Sequence, residues 1–284
     1  MSASGQALGP DAGLSPAPAA PARSDPANVR LRAFLALCGR DLWVTVRHET
    51  VGFLAQALLQ PLFFLFVFGR VLPEIGSAGR GYGAQLMPGV MALTVVLTAL
   101  QNTALPLVIE FSFTKEIEDR LLAPLPVAAV AVQKLIIAAL RGIVAAVLIL
   151  PLAALILPGG IDLSHASWLP WAGVLVLGAF TAGAMGLVLG TAVPANRISV
   201  AFAIVLTPLI FTGATFYPWQ SLGHLQWFQV LTLLNPITYV SEGMRGTLST
   251  LPHLGGGWIA LGLVVSLVLF GALGTLGFVR RAVD

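Results

Sequence analysis

The sequence predicts an all-α membrane protein with six transmembrane helices and both termini in the cytoplasm. Three observations carry that prediction. First, 57% of the 284 residues are hydrophobic and only 10% are charged, where a soluble domain has about 25%. With a mean hydropathy of +0.90, such a chain cannot clothe a water-facing surface. Second, uncharged runs long enough to cross a bilayer recur, the clearest being the 29 residues from Gly81 to Ile109. Third, the few charges are gathered. Six of the 27 fall between Glu110 and Arg120, and a knot of ions is too costly to sit in lipid.

Residues 1–29 are rich in Ala, Pro, Gly and Ser and lack the apolar core of a signal peptide. They read as a disordered cytoplasmic tail, and residues 30–284 as one transmembrane domain. Asp25-Pro26 offers a helix cap followed by proline at the first helical position. Leu31, Leu35, Cys38, Leu42 and Val46 then recur at helical spacing, flanked by Arg30, Arg32, Arg40 and Arg47. This describes an amphipathic helix lying on the inner membrane face, or else a cytoplasmic extension of the first span.

The spans are expected at about Thr50–Leu72, Ala84–Ile109, Val130–Leu157, Trp168–Val193, Ser199–Phe216 and Trp258–Val279. With the N-terminus inside, eleven of the 15 basic residues fall on the inner side, three (Arg70, Arg80, Arg245) on the outer side, and Arg141 within a span. That bias sets the orientation. It also accounts for the net charge of +3 without a nucleic-acid partner. Glycines repeat along the fourth span, and Gly186 and Gly190 form a G-x-x-x-G pair suited to close helix packing. The segment 217–257 is too apolar for a free loop and is broken by Pro236. It reads as short re-entrant helices before the sixth span, or as interfacial helices lying flat with their aromatic rings at headgroup depth.

Between the second and third spans, Phe113, Ile117 and Leu121 form an apolar stripe, while Lys115/Asp119 and Glu116/Arg120 stand one helical turn apart. A short amphipathic helix parallel to the membrane follows, ended by Pro124 and Pro126. A solvated loop with self-paired charges has the same composition.

The chain holds no G-x-x-x-x-G-K-[ST] loop, and its two lysines, Lys115 and Lys134, do not follow glycine. It has no usual cradle for ATP phosphates. His48, His165, His224 and His253 are scattered, with no H-E-x-x-H, so neither a metal site nor a catalytic set is expected. The lone Cys38 excludes an internal disulfide. An ion-coupled secondary transporter needs an acid at mid-membrane, and no Asp or Glu falls in a predicted span core. An intramembrane enzyme needs a nucleophile and base at one depth, and the histidines lie in loops or surface segments.

Four sets of polar residues invite a role. Thr94, Thr98 and Gln101, with Asn102 beside them, make a polar stripe on the second span: a pathway lining, or hydrogen bonds between helices. Thr207, Thr212 and Thr215 on the fifth span present the same choice. Arg141 lies inside the third span and is expected to pair with Glu110 at the foot of the second, or to snorkel to the headgroups. Glu242 and Arg245, at i and i+3 near the outer face, form either a gate or an exposed pair of little weight.

The stretch Glu118-Asp119-Arg120-Leu-Leu-Ala-Pro-Leu-Pro126, with Arg141-Gly142 in the following span, resembles the membrane subunit of ABC-2 type exporters. That group includes permeases of the daunorubicin-resistance and nodulation lipo-oligosaccharide kinds. Phe211-Thr-Gly213-Ala-Thr-Phe216-Tyr-Pro218, Asn235-Pro236-Ile-Thr-Tyr239 and Glu242-Gly-Met-Arg245 resemble the same family's segments around the fifth and sixth spans. The resemblance implies a permease of the bacterial plasma membrane that pairs with a second permease chain. It implies separate ATP-binding subunits that hold ATP and magnesium, and a cytoplasmic coupling helix at Lys115, Glu116, Glu118, Asp119 and Arg120. It also implies export of a drug, a lipid or a lipid-linked saccharide.

Overall fold

The computed structural model describes residues 26–77, 79, 81–114 and 125–283, and every regular element among them is helical. Helix α1 (Pro26–Val44) runs through a π-helical turn, Thr45–Glu49, into α2 (Thr50–Phe66). A second π turn, Val67–Val71, leads into the single turn α3 (Leu72–Glu74). Of the two readings the sequence leaves open, a separate surface helix or an extension of the first span, the structure forms the extension: Asn28–Glu74 is one helical stretch of 47 residues. No Gly or Pro between Val44 and Thr50 breaks it. Instead the junction widens, with Glu49 at φ −112°, ψ −2°. The Thr45 hydroxyl donates to Asp41 O at 2.8 Å and the Thr50 hydroxyl to Thr45 O at 3.1 Å.

Helix α4 (Tyr82–Ile109) is the axis of the bundle, buried over most of its length, and it continues as a π turn to Thr114. Helices α5 (Val127–Ile156) and α6 (Trp168–Ala192) pack directly on it, and α10 (Gly256–Val283) packs chiefly on α6. The contact of α4 with α6 is the most extensive between elements of the described residues. Gly186 and Gly190 make it possible: a Cβ on Gly186 would stand 2.4 Å from Leu100 O, and one on Gly190 3.0 Å from Ala104 O. The pair therefore serves close packing of two spans.

Helix α7 (Ile198–Thr212) has no buried residue. It ends at Thr212, four residues before the expected Phe216. At Gly213 a Cβ would crowd Ile237 at 2.7 Å, and Ala214 follows at φ +49°, a left-handed conformation uncommon for a residue with a Cβ. Gly213, Ala214 and Thr215 are buried. The backbone of Thr215 rests on Gly89 of α4, where a Cβ would meet Thr215 O at 1.8 Å.

A 3₁₀ turn, Trp219–His224, leads to α8 (Gln226–Thr232) and then α9 (Pro236–Leu248). Asn235 caps α9, its Oδ1 accepting from Ile237 N at 2.9 Å with proline in the first turn. Helix α9 is buried almost throughout, packed against α4, α6 and α10. It thus enters the bundle and does not lie flat on it. Near α8 the apolar Trp227, Val230 and Leu234 face outward.

Among the described residues, six helical stretches are long and apolar enough to cross a membrane: Asn28–Glu74, Tyr82–Ser112, Val127–Ile156, Trp168–Ala192, Ala195–Thr212 and Gly256–Ala282. The chain is an all-α protein with six such helices, as its composition predicts.

Candidate functional site

Helices α4 and α5 run antiparallel, and their polar residues meet in two layers. At the foot of α4, Lys134 of α5 forms an ion pair with Glu110, both side chains 10% exposed. The preceding residue, Gln133, is fully buried and donates from Nε2 to Asp41 Oδ2 of α1 at 2.9 Å. Two adjacent residues of one span therefore hold the N-terminal helix and the root of the segment that begins at 115. The ion pair is no large net stabiliser in itself, but it is costly to break.

Two turns further along α5 stands Arg141. Its Nη1 donates to Asn102 Oδ1 of α4 at 2.7 Å, and its Nη2 to Glu49 Oε2 at 2.8 Å and to the Thr45 hydroxyl. The guanidinium also lies 5.9 Å from the Phe53 ring. It thereby pins the π turn between α1 and α2 onto α4 and α5. The expected pair of Glu110 with Arg141 is not formed. Antiparallel register sets Asn102 level with Arg141 and Glu110 level with Lys134, and eight residues of helix separate the layers by about 12 Å.

The polar stripe of α4 faces α2. Thr94, Thr98, Gln101 and Asn102 line a cleft with Phe53, Gln56, Gln60 and Pro61, of about 20 Å³, room for a single water. The Thr94 hydroxyl donates back to Val90 O at 2.8 Å, whereas Asn102 is committed to Arg141. The two glutamines of α2 complete the seam. The sequence signal for them, two amides one turn apart in an apolar span, is plain in hindsight. Lys134, which the sequence places only among the inner-side cations, is the partner of Glu110 that spacing along one helix does not reveal. The fifth-span threonines make no common lining: Thr207 is exposed, Thr212 accepts from Asn235 Nδ2 at 2.9 Å, and Thr215 donates to Ile210 O at 3.1 Å. Lys115, Glu116, Glu118, Asp119 and Arg120 lie outside the described residues.

At the opposite end of the bundle, Glu242 and Arg245 of α9 form an ion pair with exposures of 0% and 1%. An exposed surface pair is thereby excluded. Glu242 accepts from Trp219 N at 3.0 Å through Oε1 and from Leu254 N at 2.8 Å through Oε2. Arg245 Nη2 donates to Ala214 O at 3.1 Å, gripping the left-handed residue beyond α7. Nearby, the Ser241 hydroxyl donates to Gly213 O at 2.7 Å. One carboxylate and one guanidinium thus join the end of α7, the turn at Trp219, α9 and the approach to α10. Among the described residues, the two buried glutamates, Glu110 and Glu242, are each paired with a cation.

The comparisons fit this architecture. Residues 32–249 match the family described as ABC-2 type transporter, a stretch that includes the first five membrane-length helices and both polar hubs. The inner membrane transport permease YadH of Escherichia coli K12 is 27% identical over 220 residues, covering 72% of this chain and 80% of the relative. The same permease in Shigella flexneri matches equally. With six membrane-length helices and these relatives, this is a multi-pass protein of the bacterial inner membrane, and the chain belongs to the ABC-2 type transporter family.

Proposed function

We propose that the chain, the membrane permease subunit of an ABC transporter, drives export. It moves a hydrophobic or amphipathic substrate (a drug, a lipid or a lipid-linked saccharide) out across the plasma membrane. Family membership implies association with an ABC ATP-binding subunit, and that subunit supplies the site for ATP and magnesium. It docks on Lys115, Glu116, Glu118, Asp119 and Arg120 at the cytoplasmic face. A second permease chain completes the pathway, with α7, which buries none of its residues in the single chain, in its interface.

The observation that carries this reading is the bridge at Gln133 and Lys134. A push on the segment after Thr114 reaches Glu110 first, then Lys134, and through Gln133 the N-terminal helix at Asp41. A force applied at one loop therefore engages three elements at once. The Glu242–Arg245 hub at the opposite end ties down the backbone that must part for an outward opening, and we assign it the outer gate.

The test is affinity purification of the full chain from its own host membrane. An ATPase is expected to co-purify and to be lost when Glu116, Glu118 and Asp119 are reversed to lysine. Undiminished association and ATP hydrolysis after reversal remove these residues from the docking role.

A further inference from the structure

The last turn of α10 makes contacts that the proposed docking does not require. Arg281 Nη1 donates to three carbonyls at the C-terminal end of α6, those of Gly190, Thr191 and Val193, at 3.0, 3.1 and 3.3 Å. A cation there also meets the negative end of the α6 dipole. The same guanidinium lies 4.9 Å from the centre of the Phe111 ring, and its Nη2 reaches Ser112 Oγ at 3.4 Å. Phe111 in turn packs edge-on against Phe278 of α10, centroids 5.5 Å apart, and Phe278 is fully buried. The neighbouring Arg280 is exposed and has no described partner. One of two adjacent arginines is therefore built into a three-helix joint, and the other is not.

The joint sits four residues before Lys115. On its far side α10 is a single helix of 28 residues, a rod of about 42 Å. That rod begins two residues after Leu254, whose N–H donates to Glu242. Helix α10 is seated closely on α6, for a Cβ on Gly274 would stand 3.0 Å from Leu187 and one on Gly277 2.7 Å from Thr191 Oγ1. The chain thus has a continuous solid connection from Phe111 at one end of the bundle to the Glu242–Arg245 hub at the other.

We infer that Arg281 is a positioning residue for energy coupling: it latches the end of α10 and the end of α6 onto Phe111, so that movement of the docking segment is delivered along α10 to the outer hub. This rests on the docking role assigned above to residues 115–120. Arginine is needed because its planar fork binds carbonyls at its edge while its face lies on a ring. Lysine keeps the charge but not both contacts.

The test uses the full chain, purified with its ATP-binding subunit into vesicles, with Cys38→Ala and a reporter, Thr215→Cys. Thr215 is 1% exposed beside the outer hub, and a membrane-impermeant maleimide reads its ATP-dependent uncovering. Arg281→Ala is expected to keep subunit association, thermal midpoint and ATP-independent labelling, and to slow ATP-dependent labelling about tenfold, within the range found for coupling residues. Arg281→Lys is expected to fall between, and Arg280→Ala to match the parent. Phe111→Leu leaves the α6 carbonyls served and removes only the ring, so it is expected to slow labelling in the same direction. A docked subunit with Arg281→Ala and Phe111→Leu labelled at the parental ATP-dependent rate overturns the latch alone. No ATPase associated with the parental chain overturns the docking reading and the latch together.

Discussion

Glu242→Ala is the most demanding perturbation of the Glu242–Arg245 hub. The substitution strands Arg245, whose side chain is 1% exposed, and removes the acceptor of two main-chain N–H groups, those of Trp219 and Leu254. Breaking one partner of a buried ion pair costs about 3–5 kcal/mol. Each orphaned buried donor adds about 1–3 kcal/mol where water cannot reach it. Relaxation around the smaller side chain offsets part of this, so about 4 kcal/mol is the expected net loss. At about 2 °C per kcal/mol for a chain of this size, the thermal midpoint falls by about 8 °C. The assay is the midpoint of the detergent-solubilised protein, followed by size-exclusion chromatography after heating. Glu242→Leu combined with Arg245→Met removes both charges together, and its cost is expected to fall short of the sum of the single changes by about 2 kcal/mol. A Glu242→Ala midpoint within about 2 °C of the parent, or strict additivity in the double variant, refutes the view that these two groups hold this end of the bundle together.

Three further outcomes follow from the contacts. Gly89→Val drives a side chain into the Thr215 carbonyl, which a Cβ would meet at 1.8 Å; it is expected to abolish a monodisperse peak, while Gly173→Ala, with nothing within 4 Å of its Cβ, leaves the peak intact. Exchange of charges in Glu110→Lys with Lys134→Glu is expected to restore most of the midpoint lost by either single change, whereas Glu110→Arg with Arg141→Glu restores none. Arg141→Met frees the π turn at Thr45–Glu49, and amide exchange at Glu49 and Thr50 is expected to quicken about tenfold for the loss of hydrogen bonds to a charged group.

The span count and most span positions were legible because they depend on one-dimensional quantities, the length of an apolar run against the thickness of a bilayer. Gly186 and Gly190 were legible for a similar reason, since spacing along one helix decides which residues share a face. Partnership between helices was not. The sequence offers Glu49, Glu110, Lys134 and Arg141 as a set of charges, and only the antiparallel register of α4 on α5 decides that 110 meets 134 while 141 meets 102 and 49. The Glu242–Arg245 hub was hidden more deeply. Pro236–Leu248 mixes Thr, Ser, Glu and Arg among its apolar residues, and such a mixture ordinarily marks a surface helix. Its burial depends on acceptors and donors that lie elsewhere in the chain, on Trp219, Leu254 and a left-handed Ala214. A polar helix can be taken into an apolar bundle only when most of its strong polar groups meet partners there. The hydrogen bonds that make α9 a core element are therefore the same bonds that join the ends of α7 and α10 to it. Any motion that opens this end of the bundle must exchange them for water, so the burial of α9 and the gating assigned to it stand on one set of contacts.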